Sequence, residues 1–127
     1  MKIMQLLTPL ADVQWLSVTD TVRDAFDHLE TYEVTAAPLL DWSGRYIGTV
    51  TEADLRRHVA GMGSLATALV DVERRSSNVA VAVDDDVTAI AGHLSMQRFI
   101  PVVDGSGKLV GVVDRRRAYR DAPLRAA

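Results

Sequence analysis

Two side chains stand out for the chemistry that their types and spacing allow. Thr51 and Asp54 lie three apart in Gly48-Thr49-Val50-Thr51-Glu52-Ala53-Asp54-Leu55, where a strand-like run gives way to a helical one. An ionised carboxylate accepts two hydroxyl donors at once, as a ribose would offer. A hydroxyl at a helix N-terminus stands beside free amides that can meet a phosphate. The same [Ser/Thr]-x-x-[Asp/Glu] spacing is also a capping box, worth roughly 1 kcal/mol with no ligand at all. The two readings are compatible for Thr51 and compete for the carboxylate of Asp54.

Other reactive constellations are weaker. There is no cysteine, so thiolate metal sites, iron–sulfur clusters and cysteine nucleophiles are excluded. The sequence shows no nucleophile elbow with a Ser-His-Asp set and no Gly-rich phosphate loop, and the expectation is that it is not an enzyme. His28 and His93 have no His-x-x-x-His spacing, and Asp84-Asp85-Asp86 stands where a helix should be capped, so no metal site is expected. Trp15, Trp42 and Tyr46 read as packing residues or turn covers. Trp42, if exposed, is the best candidate for a partner contact.

The chain has 127 residues, 48% of them hydrophobic and 24% charged, with a net charge of −3. That suits one domain-sized globular chain. The charge argues against nucleic acid as a partner. No apolar run is long enough for a membrane span, and the apolar start at Met1 to Leu7 stops too early for a secretory signal. A cytoplasmic protein with no membrane contact is the expectation.

A repeat divides the chain. Pro38-Leu39-Leu40-Asp41-Trp42-Ser43-Gly44-Arg45-Tyr46-Ile47-Gly48-Thr49-Val50 returns 63 residues later as Pro101-Val102-Val103-Asp104-Gly105-Ser106-Gly107-Lys108-Leu109-Val110-Gly111-Val112-Val113. Six of thirteen positions are identical, where average composition would give about one. Upstream the offset is 65, with Val22, His28 and Leu29 matching Val87, His93 and Leu94, so the second copy has lost two residues ahead of Pro101.

Each copy must position its residues with the same elements. Val22, Ala25, Phe26 and Leu29 fall at helical spacing, as do Val87, Ile90, Ala91 and Leu94. Asp20-Thr21 and Asp84 to Asp86 offer N-caps. Ala36 to Leu40 and Tyr46 to Val50 flank an Asp-x-Ser-Gly turn, as do Phe99 to Val103 and Leu109 to Val113, which predicts two hairpins. Strand-like runs precede the helices at Val13 to Val18 and Val79 to Val83, and further helices start at Glu52 and Arg115. The unit is strand, helix, strand, strand, helix, twice over. Gly61-Met62-Gly63 marks the boundary, dividing the chain into residues 1–63 and 64–127. Ser64 to Arg75 is expected to be a short linker helix plus a loop. Arg74-Arg75-Ser76-Ser77-Asn78 reads as a solvated turn.

With its paired copies, its apolar-apolar-Pro entry to each hairpin and its Gly48-Thr49-Val50-Thr51-Glu52-Ala53-Asp54 signature, the sequence resembles a tandem pair of CBS motifs, a Bateman module. Leu7-Thr8-Pro9 resembles the Met-Thr-Pro start of many members. Among them it is most similar to small stand-alone bacterial CBS-pair proteins. The resemblance implies an α+β fold (α/β in layering) of two βαββα motifs about a pseudo-twofold axis. It implies a regulatory module that binds an adenine nucleotide or cyclic di-AMP between its motifs and signals to an unidentified regulated protein. A homodimer is implied as well, with no required cofactor.

Residue by residue, the resemblance implies ligand roles for Thr51 and Asp54. It places Asp12, Val13 and Gln14 along the base, makes Ala36, Ala37 and Pro38 part of the same wall, and offers Arg98 as the basic residue reaching from the other motif. The second copy departs from the pattern, with Asp114-Arg115-Arg116-Arg117 at the equivalent positions. Asp114 can still cap, but Arg117 replaces the carboxylate, so one adenosyl site is expected and not two. Arg115 and Arg116 are candidates for an anion site, against a solvated basic helix end running on to Arg120 and Arg125. The alternative function is a CBS-pair scaffold or dimerisation protein that holds no ligand.

Overall fold

A short lead-in precedes each copy, and the elements after it repeat. The computed structural model describes residues 1–75 and 78–123. The chain begins with a 3₁₀ turn (Ile3–Leu6), strand β1 (Thr8–Pro9), a second 3₁₀ turn (Leu10–Asp12) and strand β2 (Leu16–Ser17). Helix α1 (Val22–Thr31), strands β3 (Ala36–Leu40) and β4 (Tyr46–Thr51), and helix α2 (Glu52–Ala60) complete the first copy. The second has a 3₁₀ turn (Leu69–Asp71), β5 (Val81–Ala82), a 3₁₀ turn (Val87–Ala89), β6 (Phe99–Val103), β7 (Leu109–Asp114) and helix α3 (Arg115–Asp121). The copies are two βαββα-like motifs of an α+β protein.

The hairpins owe their turns to one aspartate each. Asp41 Oδ1 accepts from the N–H and Oγ–H of Ser43 and the N–H of Arg45, and Asp104 does the same with Ser106 and Lys108. Gly44 and Gly107 close the turns at positive φ. In each sheet the strand before the helix pairs parallel with the first hairpin strand, β2 with β3 and β5 with β6, and the hairpin strands pair antiparallel. Helix starts follow the capping residues: Thr21 and Asp24 form a reciprocal box on α1, and Asp86 caps the turn at Val87.

The described residues pack as two units: one within Gln14–Ser77, the other joining Met1–Val13 to the segment from Asn78 onward. Each unit therefore contains the lead-in of the other copy. In the first, Leu69 and Val72 share a core with Leu16, Val22, Leu29, Leu39 and Leu55. Ile3 and Leu6 do the same in the second, with Val87, Ile90, Leu94, Ile100 and Val113. The backbone connections match: Val22 N–H donates to Thr67 O at 3.0 Å, and Val87 N–H to Met1 O at 2.9 Å. Full burial of such a side chain contributes about 1.5–3 kcal/mol.

The paired glycines Gly48 and Gly111 receive the lead-ins. A Cβ on Gly111 would stand 2.2 Å from Thr8 O, where β1 pairs antiparallel with β7. On Gly48 it would stand 2.1 Å from Arg74 Nη1. So in one unit a backbone carbonyl fills the space, and in the other a guanidinium does.

Three expectations need correction. The first helix of the second copy is not an α-helix: Val87, Ile90 and Leu94 are buried at helical spacing, but after Val87–Ala89 only turns follow. Gly92 and the β-branched Val87, Thr88 and Ile90 lower its helix propensity, and two fewer residues are available to reach β6. The linker helix is only the 3₁₀ turn Leu69–Asp71 among residues 64–75, because this segment runs as a lead-in along the first unit. The strand-like runs yield just Leu16–Ser17 and Val81–Ala82, each pairing on one side. Of the expected solvated turn at 74–78, Ser76 and Ser77 lie outside the described residues, as does Arg125.

Both α-helices of the first copy end with the same pair of backbone bonds. Val34 N–H reaches Leu29 O and Glu33 N–H reaches Glu30 O, while Gly63 N–H reaches His58 O and Met62 N–H reaches Val59 O. This motif puts a left-handed residue just past the helix, usually Gly. Here it is Glu33 (φ 53°) and Met62 (φ 70°). Met62→Gly is expected to raise stability in urea unfolding by about 0.5–1 kcal/mol, and no gain would contradict the strain. By the same measurement Gly111→Ala should cost about 1–3 kcal/mol, with Gly105→Ala, whose Cβ meets nothing within 4 Å, near zero. Equal effects would show that the approach of Thr8 to Gly111 is not tight.

Candidate functional site

Helix α2 starts at the end of β4 because Thr51 is extended and its side chain caps. Thr51 Oγ1 accepts the Asp54 N–H at 3.1 Å, and Asp54 Oδ2 accepts the Thr51 N–H at 3.1 Å. The capping reading is thus realised. Asp54 is 1% exposed, which is rare for a carboxylate without partners. Its second oxygen explains the burial: Oδ1 accepts from Arg57 Nη1 at 3.0 Å and from the backbone N–H of Arg75 at 3.1 Å. The last bond ties α2 to the lead-in of the second copy. Burial pushes the Asp54 carboxyl up, but the N–H groups of Arg75 and Thr51 and the Arg57 guanidinium outweigh it and hold the pKa below the ordinary 3.8.

The lead-in continues across the same face. Arg75 pairs with Glu73 at the surface, and Arg74 Nη1 donates to Ile47 O at 3.3 Å. Beside it Tyr46 hydroxyl and Thr49 Oγ1 are 2.7 Å apart, and burial raises the Tyr46 pKa against the opposing Thr49 bond. Asp54, Arg57, His58, Gly61, Gly63 and Glu73 line a cavity of about 230 Å³. His58 Nε2 lies 2.9 Å from Ser64 O.

The second copy inverts the polarity of this arrangement. Asp114 caps α3 through the N–H groups of Arg116 and Arg117 at 2.8 and 3.2 Å. Arg117, where the first copy has Asp54, reaches the other lead-in: Nη1 lies 3.4 Å from Leu7 O and Nη2 3.5 Å from Gln5 O. These bonds are long. A carboxylate accepting from a lead-in N–H is matched by a guanidinium donating to lead-in carbonyls.

The remaining sequence candidates are distributed as follows. Ala36, Ala37 and Pro38 lie on β3 opposite Thr51, Val50 and Thr49, so this wall adjoins the start of α2. Asp12 and Val13 belong to the other unit, while exposed Gln14 begins the first. Within its own unit, the segment that approaches Asp54 is Glu73–Arg75. Arg98 is exposed, and its carbonyl accepts the Arg115 N–H at 3.0 Å. Arg115 Nη1 turns to Leu94 O at 3.4 Å, and Arg116 is exposed. The three arginines thus point to different surroundings. Sequence reasoning missed Arg57 and Arg75. The i, i+3 spacing of Asp54 and Arg57 could have signalled the first, whereas Arg75 contributes a backbone N–H that no side-chain pattern announces.

Trp42 is 93% exposed at its hairpin turn. His28 packs against Tyr32 with ring centroids 4.9 Å apart and the planes tilted by 59°. Among the described residues no group of His, Asp or Glu could hold a metal ion, and no helix is long and apolar enough to cross a membrane.

Against known families, the CBS-domain profile matches residues 4–61 and again 70–121. The chain belongs to the CBS-domain family. It is a tandem CBS pair, a Bateman module, and such pairs are regulatory and not catalytic. Among curated proteins it is similar to inosine-5'-monophosphate dehydrogenase of Methanocaldococcus jannaschii, 24% identical over 126 residues, matching 89% of this chain and 23% of that protein. It therefore spans about a quarter of that relative. A crystal structure of CBSX2 in complex with AMP is 24% identical, with TM-score 0.78 and 95% of each chain covered. CBSX2 is also solved as a CBS-pair protein from Arabidopsis thaliana, with TM-score 0.80 at 22% identity over 95% of this chain and 93% of that one. CbpB in complex with c-di-AMP is 19% identical, with TM-score 0.84, over 94% of this chain and 83% of that one. At these identities the structures establish a shared fold.

The lowered pKa of Asp54 makes the CBS pair acid-sensitive at one place. Folded, this carboxyl binds its proton only below the ordinary 3.8, so the folded chain holds fewer protons than the unfolded one. Its contribution is complete above that value and is lost as pH falls through the lowered folded pKa. Asp54→Asn should therefore be less stable than the natural chain by about 1–3 kcal/mol at pH 7, with the gap closing below pH 3.8. A gap independent of pH in denaturant titrations would contradict this.

Proposed function

We propose that this CBS pair is a regulatory module that senses an adenine nucleotide, of the AMP, ADP or ATP type or cyclic di-AMP, through its first copy. One observation carries the reading: the first copy keeps a hydroxyl and a carboxylate, Thr51 and Asp54, at the start of an N-terminally capped helix beside the apolar Ala36-Ala37-Pro38 wall. The second copy has Asp114 and Arg117 there. The carboxylate suits ribose hydroxyls, and the Thr51 hydroxyl, which accepts the Asp54 N–H, keeps its own O–H to donate. That CBSX2 was solved with AMP and CbpB with c-di-AMP supports an adenosyl ligand. In this reading the module takes one ligand per chain, acts as a homodimer and passes occupancy to a regulated protein. Such signalling requires that the ligand favour one of two states of the module.

A second reading, a CBS-pair scaffold that holds no ligand, is favoured by a specific observation: the Asp54 carboxylate already accepts from three donors of its own chain. Thermal melting against AMP, ADP, ATP, S-adenosylmethionine and cyclic di-AMP separates the two. A ligand at about a hundred times its Kd adds about 2.7 kcal/mol to the folded state, so at least one adenosyl compound should raise the melting point by several degrees. A flat response to all five would favour the scaffold.

A further inference from the structure

We infer that ligand and chain compete for one oxygen of Asp54, so that occupancy is read out as release of the Glu73–Arg75 segment from helix α2. This rests on the nucleotide reading above and specifies how that site would be regulated. An ionised carboxylate has about four lone-pair positions, and Asp54 already accepts from Thr51 N–H, Arg57 Nη1 and Arg75 N–H. A ribose diol needs two. Seated on Oδ1, which already holds Arg57 and Arg75, the diol takes both positions of that atom, so both of those donors must leave.

The Oδ2 bond belongs to the helix cap and is fixed by the start of α2. The Oδ1 bonds come from outside that turn. Arg57 is about one-third exposed at its side chain and can turn to water. Arg75 N–H has no such freedom, because a backbone donor moves only with its segment. Nearby, that segment is held by the 3.3 Å bond from Arg74 to Ile47 O. Farther back, Leu69 and Val72 are buried in the core, so release stops at about Glu73. The second copy offers a hydroxyl donor no such exchange: the Arg117 guanidinium holds Leu7 and Gln5 by donating and has no lone pair to accept with.

Amide hydrogen exchange on the full chain tests the competition, with AMP as the probe. The readout is the exchange rate of the Arg75 amide relative to that of Leu69, whose N–H bonds to Asp20 O at 2.8 Å. Saturating AMP should raise the ratio at least tenfold, and an unchanged or lowered ratio with AMP bound overturns the inference. Asp54→Ala without ligand should raise it at least tenfold too. Global unfolding would move both amides together, so an unchanged ratio in this variant shows that Asp54 does not hold the segment and overturns the inference whatever AMP does. If AMP leaves the natural chain's melting point unshifted, AMP sensing and the competition for it fall together, and the variant shows whether the hold itself remains.

Discussion

Each half of this chain completes its core with the lead-in of the other half. Ile3 and Leu6 lie under the second copy, Leu69 and Val72 under the first. A βαββα motif of this size has a small sheet with one apolar face and too few residues to cover it. The exchanged segments supply the missing apolar side chains and cap the first helical turn of each copy through Met1 O and Thr67 O. They also account for Gly111, where a side chain would collide with the backbone of the arriving segment, while at Gly48 the Arg74 guanidinium occupies the space.

The same constraint gives Asp54 its character. Its carboxylate stands where the lead-in crosses the start of α2, so it serves as a helix cap, an ion-pair partner and an acceptor for the incoming backbone. Arg117 faces the corresponding crossing in the second copy with opposite polarity, donating to carbonyls. A position that would otherwise read only as ligand-binding or degenerate is, in both copies, where the lead-in is held. The divergence of the copies is then a divergence in what else can contest that hold: a donor can compete for the carboxylate, and only an acceptor for the guanidinium.

Much of the fold was legible because it depends on short-range chemistry. The two Asp-x-Ser-Gly turns, the Thr21 and Thr51 caps and the helix starts at Glu52 and Arg115 are set by residues within four positions of one another. The broken helix at 87–94 was not, since its burial keeps helical spacing while Gly92 and the β-branched residues spoil the hydrogen bonding. The exchange was not legible either: Ile3-x-x-Leu6 and Leu69-x-x-Val72 show two apolar pairs without saying which core receives them. For the site, the Thr51 and Asp54 pair was visible, but its actual partner across the chain is a main-chain amide. That is why the contact with Glu73–Arg75 was not foreseen.

A crystal structure of the chain grown with AMP would test the central claim most directly. The account predicts one AMP per chain, with its ribose hydroxyls on Asp54 Oδ1 and the Arg75 N–H no longer bonded there. AMP seated on Arg115 to Arg117, or AMP bound while the Arg75 N–H stays on Asp54, would contradict it.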